Sequence, residues 1–444
     1  MDRVNEKAFG KESVLKILLK LAPPVMFAQL IQALYNVVDS FYVGKYSDDG
    51  LTALSVIYPV QLLIVAIAVG IGVGVNTLMA SYFAKDEKSS ADKTAGTGMV
   101  LALICWAIFS LSSLAFLKPF VKISAKSKLA QKEALTYGTI VCVGSLGIFL
   151  ESCFTKVHQA SGNMWIPTVA QVAGAVTNII LDPVLIFGWE FFPKMGIAGA
   201  GIATVIGQFI ACIITGIKGA KKPPKPKEGG LYVRKIWHYG YPNMLMQALF
   251  TVYIIALNLI LASFTDSAIT VLGLYYKLQS FFFIPLFALQ TCIVPILSFN
   301  YVQQKFDRVR QIVKDTLIIS CAFMSIGIFC FEIIPVPLIK IFSKNQEVLN
   351  IGKIGFRIIG SSFLPAVFSL TAPVVFQAIG KSVKSSLLSL TRQIFCLIPT
   401  FYLFSLIGLN YCWIAFPLSE TITTILGVVL YIKEVKTWKK FTEN

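Results

Sequence analysis

The sequence predicts an all-α membrane protein with twelve transmembrane helices, arranged as two six-helix bundles related by a pseudo-two-fold axis along the membrane normal. Three observations lead there. Of 444 residues, 56% are hydrophobic and only 14% charged, against about 25% charged in soluble domains. The apolar residues fall in runs of at least about eighteen, the length that crosses a bilayer. The second half of the chain matches the first at one fixed offset.

The apolar runs lie near 16–44, 52–84, 94–118, 133–158, 165–188, 196–218, 236–262, 268–302, 313–341, 352–378, 384–407 and 411–433. Several exceed the roughly twenty residues a bilayer needs, so tilt or extension beyond the hydrocarbon is expected. The longest polar linker, Lys221–Gly230, follows the sixth run and divides the chain nearly in half. Its Pro-Lys composition predicts a solvated, semi-rigid segment. The expected organisation is a terminal segment 1–15, a first lobe 16–219, a linker 220–235, a second lobe 236–434 and a tail 435–444.

Lys and Arg set the expected orientation. The side holding both termini carries about 25 of them, against about 10 on the other, which places both termini in the cytoplasm of a plasma or inner membrane. The segment with Lys118, Lys122, Lys126, Lys128 and Lys132 runs against this rule. The net charge of +17 does not indicate nucleic acid, because no basic helix, zinc spacing or RNA-binding signature accompanies it. The N-terminus lacks the features of a cleaved signal: its first apolar run is too long and interrupted by Pro23, Pro24, Gln29, Gln32, Asn36 and Asp39.

All nine Cys lie inside apolar runs without a CxxC, as small hydrophobes do. His158 and His238 are far apart in sequence. Neither pattern suggests a metal site or a cofactor. No HExxH, GxSxG or P-loop is present, so neither an enzyme nor intrinsic ATP drive is expected.

The repeat is ungapped from Pro24 to Gln61. At an offset of 218, Pro24 meets Pro242, Met26 meets Met244, Gln29 meets Gln247 and Tyr35 meets Tyr253. Asp48 meets Asp266, Leu54 meets Leu272, Tyr58 meets Tyr276 and Gln61 meets Gln279. The same offset returns where Gln159-Ala160-Ser161-Gly162 meets Gln377-Ala378-Ile379-Gly380. Recurrence of one offset is the mark of an internal repeat. Six spans per copy make the repeats parallel, the arrangement that leaves a cavity for alternating access. Two repeats in one chain supply that cavity, so a monomer suffices.

The chain resembles the multidrug and toxic-compound extrusion (MATE) family along nearly its whole length. The resemblance rests on Pro24 followed by Asn36-Val-Val-Asp39-Ser-Phe-Tyr-Val-Gly44, then Gln159-Ala160-x-Gly162, Asn178-Ile-Ile-Leu-Asp182-Pro183 and Gly196-Ile-Ala-Gly-Ala-Gly-Ile-Ala-Thr204. It implies export of mostly cationic, aromatic compounds in exchange for H⁺ or Na⁺.

The residues themselves point to a coupling site. A carboxylate in hydrocarbon costs several kcal/mol unless partnered, so Asp39 within the first span is a functional candidate by default. Asn178 and Asp182, four apart, share one face of the fifth span. Together they offer the oxygen ligands that a proton or hard cation takes. In the family these positions form a cation site, with Thr204 as a nearby hydroxyl. At the repeat offset Asp39 meets Leu257, Asn178 meets Cys396 and Asp182 meets Thr400. The cluster therefore exists in one half only, as a single ion site would. Some relatives place acids on the seventh and tenth spans. Here the seventh offers Asn243, Gln247, Thr251 and Asn258 but no acid.

Met26, Tyr35, Gln61, Met244, Tyr276 and Gln279 come from equivalent spans and are candidates for a substrate cavity, since aromatic and Met side chains suit flat cations. Pro24 removes a helical hydrogen bond in the first span and is a candidate bend. Glu151, Lys277, Glu332, Arg392 and Glu420 are intramembrane charges expected to pair or to line the cavity. Lys277 and Arg392 give some weight to a rival reading, a flippase of lipid-linked precursors that needs a cationic cavity.

Overall fold

The computed structural model describes residues 9–125, 127–189 and 192–443. Among them the chain is helical throughout, with one isolated β-bridge between Trp189 and Phe192. Ten helices are long and apolar enough to cross a membrane, and twelve when two bent pairs each count as one span. The protein is thus a multi-pass membrane protein. Lys126 and the first eight residues lie outside the described set.

Each expected span has a counterpart. Unbroken helices are α1 (Val14–Tyr46), α2 (Asp48–Ala84), α3 (Lys88–Ser124), α6 (Trp165–Phe187), α7 (Ile197–Gly219) and α8 (Pro226–Ala262). The fourth span is bent by 42° between α4 (Lys128–Gly144) and α5 (Leu146–Ala160). The eighth is broken at Phe283 into α9 (Asp266–Phe282) and α10 (Ile284–Val302). The ninth joins α11 (Phe306–Ile333) to a short α12 (Pro335–Lys340). The tenth bends by 56° between α13 (Gln346–Gly360) and α14 (Phe363–Ala378). The eleventh comprises α15 (Ser382–Leu390), a π-helical stretch Thr391–Leu397 and α16 (Ile398–Ser405). The last runs through α17 (Leu409–Cys412) into α18 (Ala415–Glu443).

The offset of 218 recurs in the backbone. Helix starts at Asp48, Lys88, Lys128 and Ile197 return at Asp266, Phe306, Gln346 and Ala415, and the ends at Ala84 and Ala160 return at Val302 and Ala378. Side-chain caps recur as well: Ser47 accepts from Gly50 N and Thr265 from Ser267 N, while Ser127 accepts from Ala130 N and Asn345 from Glu347 N. Such caps satisfy amides that a helix leaves open at its start. Asp86 (φ 57°) and Gln304 (φ 58°), two non-glycine residues in the left-handed region, are also a repeat pair. The Gln-Ala-x-Gly motif acquires a physical meaning here. Gly162 (φ 76°) and Gly380 (φ 78°) end α5 and α14 in a conformation that glycine adopts at little cost.

By compactness the chain forms two units. One comprises Met1–Lys11 and Pro23–Met244, the other Glu12–Ala22 and Leu245–Asn444. One division precedes α1, and the other two fall inside α1 and α8, next to Pro23-Pro24 and Pro242, rather than in the polar linker. The linker is also more ordered than its composition suggests. Pro226, whose missing N–H costs nothing in a first helical turn, opens α8, so residues 226–235 are helix. That arm is fixed within the first unit by Lys93–Glu228 (2.7 Å) and by Lys235 donating to the Tyr82 hydroxyl (3.1 Å).

The two cores are built differently. The first uses small residues that let backbones approach: a Cβ at Gly74 would lie 2.2 Å from the Ile236 carbonyl oxygen, and one at Gly240 would lie 2.4 Å from that of Gly70. The second is aromatic, with Phe331 centred 4.8 Å from Phe363 and 4.9 Å from Phe356, and Phe283 5.1 Å from Phe363. Edge-to-face and offset ring pairs of this kind stabilise by about 0.5–1.5 kcal/mol beyond their area.

Candidate functional site

Within the first unit, five helices converge on a buried polar cluster. α1 supplies Tyr35 and Asp39 from one face, four residues apart. α6 supplies Asn178 and Asp182 in the same way, α7 supplies Thr204, α2 supplies Gln61 and α4 supplies Tyr137. The close approach of α6 and α7 has a simple cause. A Cβ at Gly207 would lie 2.6 Å from the Gly174 carbonyl oxygen and 3.4 Å from Asn178 Cβ. Glycine at both positions lets the two backbones touch, as small residues do in membrane helix pairs.

Asp182 is fully buried and Asn178 is 2% exposed. The Asn178 amide is best oriented with its nitrogen donating to Asp182 Oδ2 (3.3 Å) and its oxygen accepting from the backbone N–H of Thr204 (3.1 Å). This satisfies both ends of the amide and leaves the Thr204 hydroxyl beside it. The Asp39 and Asp182 carboxyl groups face each other within hydrogen-bonding range. Asp39 Oδ1 is buried without a hydrogen-bond partner among the described residues. Tyr35 stands within electrostatic range of both acids and bonds to Gln32. Gln61 Nε2 donates to the Tyr137 hydroxyl (3.1 Å), and Tyr137 in turn borders Thr204, Asp39 and Tyr35. Pro183 follows Asp182 and has no N–H, so the carbonyl of Ile179 lacks its usual helical donor.

Among the described residues no Lys, Arg or His forms an ion pair with Asp39 or Asp182. Two facing carboxylates out of water repel strongly. A shared proton or a small cation between them removes the repulsion, and the surrounding amide, hydroxyl and carboxyl oxygens are of the type hard cations take.

The chain matches the MatE family model twice, over residues 24–184 and 242–403. The two matches begin 218 residues apart, at Pro24 and Pro242, and together cover most of the chain. The chain belongs to the MatE family. Similar curated relatives include the probable multidrug resistance protein NorM of Thermotoga maritima, 24% identical over 357 residues, with 78% of this chain and 76% of the relative covered. The FAD transporter of Shewanella oneidensis is 22% identical, covering 94% of this chain and 93% of the relative. Multidrug export protein MepA of Staphylococcus haemolyticus is 20% identical, covering 95% and 94%. These MatE-type relatives are named as transporters rather than enzymes. Among solved structures, an outward-facing multidrug resistance MATE family transporter superposes with a TM-score of 0.90 at 19% identity, over 99% of this chain and all of the other. The fold is thus the two-lobed MATE fold.

The structure brings together Asp39, Asn178, Asp182 and Thr204, the four residues singled out in this MatE sequence for cation binding. Tyr35 and Gln61 join the same cluster. The other cavity candidates lie elsewhere. Met26 is half-buried on α1. Met244 fills the space that a side chain at Gly70 would need. Tyr276 packs its ring against Phe250, Tyr253 and Tyr275, and Gln279 caps the end of α9 through its carbonyl. Helix α1 is not interrupted at Pro24.

The intramembrane charges separate. Arg392 and Glu420 form a buried ion pair at 2.8 Å. Glu151 accepts from the Thr155 hydroxyl (2.7 Å), Glu332 receives Arg357 Nε on its backbone carbonyl (3.0 Å), and Lys277 is exposed. Tyr137 was missed by reading the sequence. A lone Tyr in a chain with 16 of them carries no pattern, but its repeat partner is Gly355, the same one-sided asymmetry that marks Asp39.

Proposed function

We propose that this MatE-family chain is a secondary exporter of small organic compounds, mostly cationic and aromatic, that exchanges them for H⁺ or Na⁺ at Asp39, Asn178, Asp182 and Thr204. The observation that carries the reading is the meeting of Asp39 from α1 with the fully buried Asp182 from α6. Loading the pair with a cation removes its charge repulsion, which favours one conformation of the lobes. Release restores the repulsion and favours the other. Shifting a two-state equilibrium this way requires only a difference in cation affinity between the states. Substrate enters from the cytoplasm or inner leaflet, both termini are cytoplasmic, and one chain suffices. No cofactor takes part beyond the coupling ion.

The names of the relatives support export of multiple drugs, and one of them extends the substrate range to a flavin dinucleotide. The flippase alternative loses support from the Arg392–Glu420 pair: of the two cations that could serve a phosphate, Arg392 is already neutralised. Replacing Asp39→Asn should abolish dye efflux from cells while the protein remains at normal levels in the membrane. Collapsing one of the two gradients, proton or sodium, should stop wild-type efflux, while collapsing the other should not. Unaltered efflux by the Asp39→Asn variant refutes the assigned role, and efflux insensitive to both gradients refutes ion exchange.

A further inference from the structure

The second unit lacks the acid pair, yet it holds a buried charged site on equivalent helices. Arg392 sits in the eleventh span and Glu420 in the twelfth, the repeat counterparts of α6 and α7. Arg392 Nε donates to both carboxylate oxygens of Glu420 (2.9 and 3.1 Å), and Nη2 lies 2.8 Å from Oε1. The Ser369 hydroxyl also bonds to Glu420, and Ser419 Oγ donates to the Arg392 carbonyl (2.6 Å). The pair stands within electrostatic range of Tyr253, which occupies the repeat position of Tyr35. One Tyr of each repeat thus borders one carboxyl-bearing site.

The local backbone has been rebuilt to admit the guanidinium. Arg392 takes the repeat position of Gly174, where the first copy has no room for a side chain because the Gly207 carbonyl oxygen would lie 2.6 Å from its Cβ. In the second copy Gly207 is replaced by Ile425, so the glycine contact is gone. The helix there also widens. Thr391–Leu397 is π-helical, with Ile398 N bonding to Gln393 O, whereas the corresponding residues of α6 form regular α-helix. π-segments are rare and are frequently found at functional sites.

We propose that Arg392 is a tethered cation: the second unit keeps a carboxylate site of the same general kind as the first, permanently filled by its own side chain. This rests on reading Asp39 and Asp182 as the exchanging site, and it explains why a repeat protein would couple through one lobe. Removing the guanidinium then converts Glu420 into an open site for a small cation.

The test uses purified full-length protein in the Asp39→Asn background, so that a failure of the first-unit assignment does not affect it. Arg392→Ala is compared with its parent and with Arg392→Met/Glu420→Gln, which removes both charges at similar volume. Bound ²²Na⁺ and protons taken up on acidification are counted per chain. Arg392→Ala should gain one equivalent of Na⁺ or H⁺, displaced by methylguanidinium, and the neutral pair should gain none. If Arg392→Ala folds only with methylguanidinium present, Na⁺ or acid should replace it in holding the thermal midpoint. A variant that gains no equivalent, or that only methylguanidinium stabilises, overturns the proposal and leaves a purely structural ion pair.

Discussion

Asp39 and Asp182 face each other but live in different surroundings. Asp182 is fully buried and receives the Asn178 amide, while Asp39 is half-buried and keeps one oxygen without a partner among the described residues. Asn178→Ala removes a donor to a buried acid, a loss worth about 1.5–3 kcal/mol when the partner is charged. It is therefore expected to raise the cation concentration for half-maximal efflux by about tenfold or more, readable in ion titrations of efflux rate. Unchanged titration would mean that Asn178 only packs. Tyr137→Phe breaks its bond with Gln61, and a smaller change of about two- to tenfold is expected. Thr204 came from the family resemblance, whereas Asp39, Asn178 and Asp182 were legible because acids and amides stand out in apolar runs. Tyr137 was not, since its role comes only from the folding of α4 against α2 and α7.

At the scale of elements, the positions of all twelve spans were legible from hydrophobicity, and their interruptions were not. The break between α4 and α5 and that between α13 and α14 occur in stretches as apolar as their neighbours, marked in sequence by Gly144-Ser145 and Gly360-Ser361-Ser362, the Gly/Ser pairs at which helices kink. The π-helical stretch around Arg392 has no mark in composition that sets it apart from regular helix. The helix that opens at Pro226 was not legible in the linker's Pro-Lys composition, because a Pro fits a solvated loop as well as a first helical turn. Two predictions belong here. Asn345→Ala removes the cap of α13 and should cost about 1 kcal/mol, seen as a lower thermal midpoint in detergent with efflux retained. Gly74→Val drives a side chain into the Ile236 carbonyl and should cost about 1–3 kcal/mol or more, read as loss of stability far exceeding that of Val at open Gly229. Equal stability of the two variants would remove the α2–α8 glycine contact from the account.

For the whole molecule, one duplication explains the offset of 218 in sequence, in helix ends, in caps and in left-handed residues. Divergence between the copies explains function. The first unit kept small residues and an open pair of acids. The second became aromatic, and it pairs the buried Glu420 with Arg392. The repeat was visible in the sequence because identities inside the helices, such as Pro24–Pro242 and Gln61–Gln279, and the helix-ending Gly162–Gly380 recur at one offset. Which charges pair was hidden, because Arg392 and Glu420 meet only through the packing of the eleventh span against the twelfth, which hydrophobicity does not specify.

The most direct test of the central claim is ion exchange in proteoliposomes holding purified protein, with ethidium transport followed by fluorescence under an imposed proton or sodium gradient. Wild-type protein should concentrate ethidium against its gradient in response to one of the two ions, whereas Asp39→Asn should at most let it equilibrate. Uphill transport by Asp39→Asn at the wild-type rate would contradict the account.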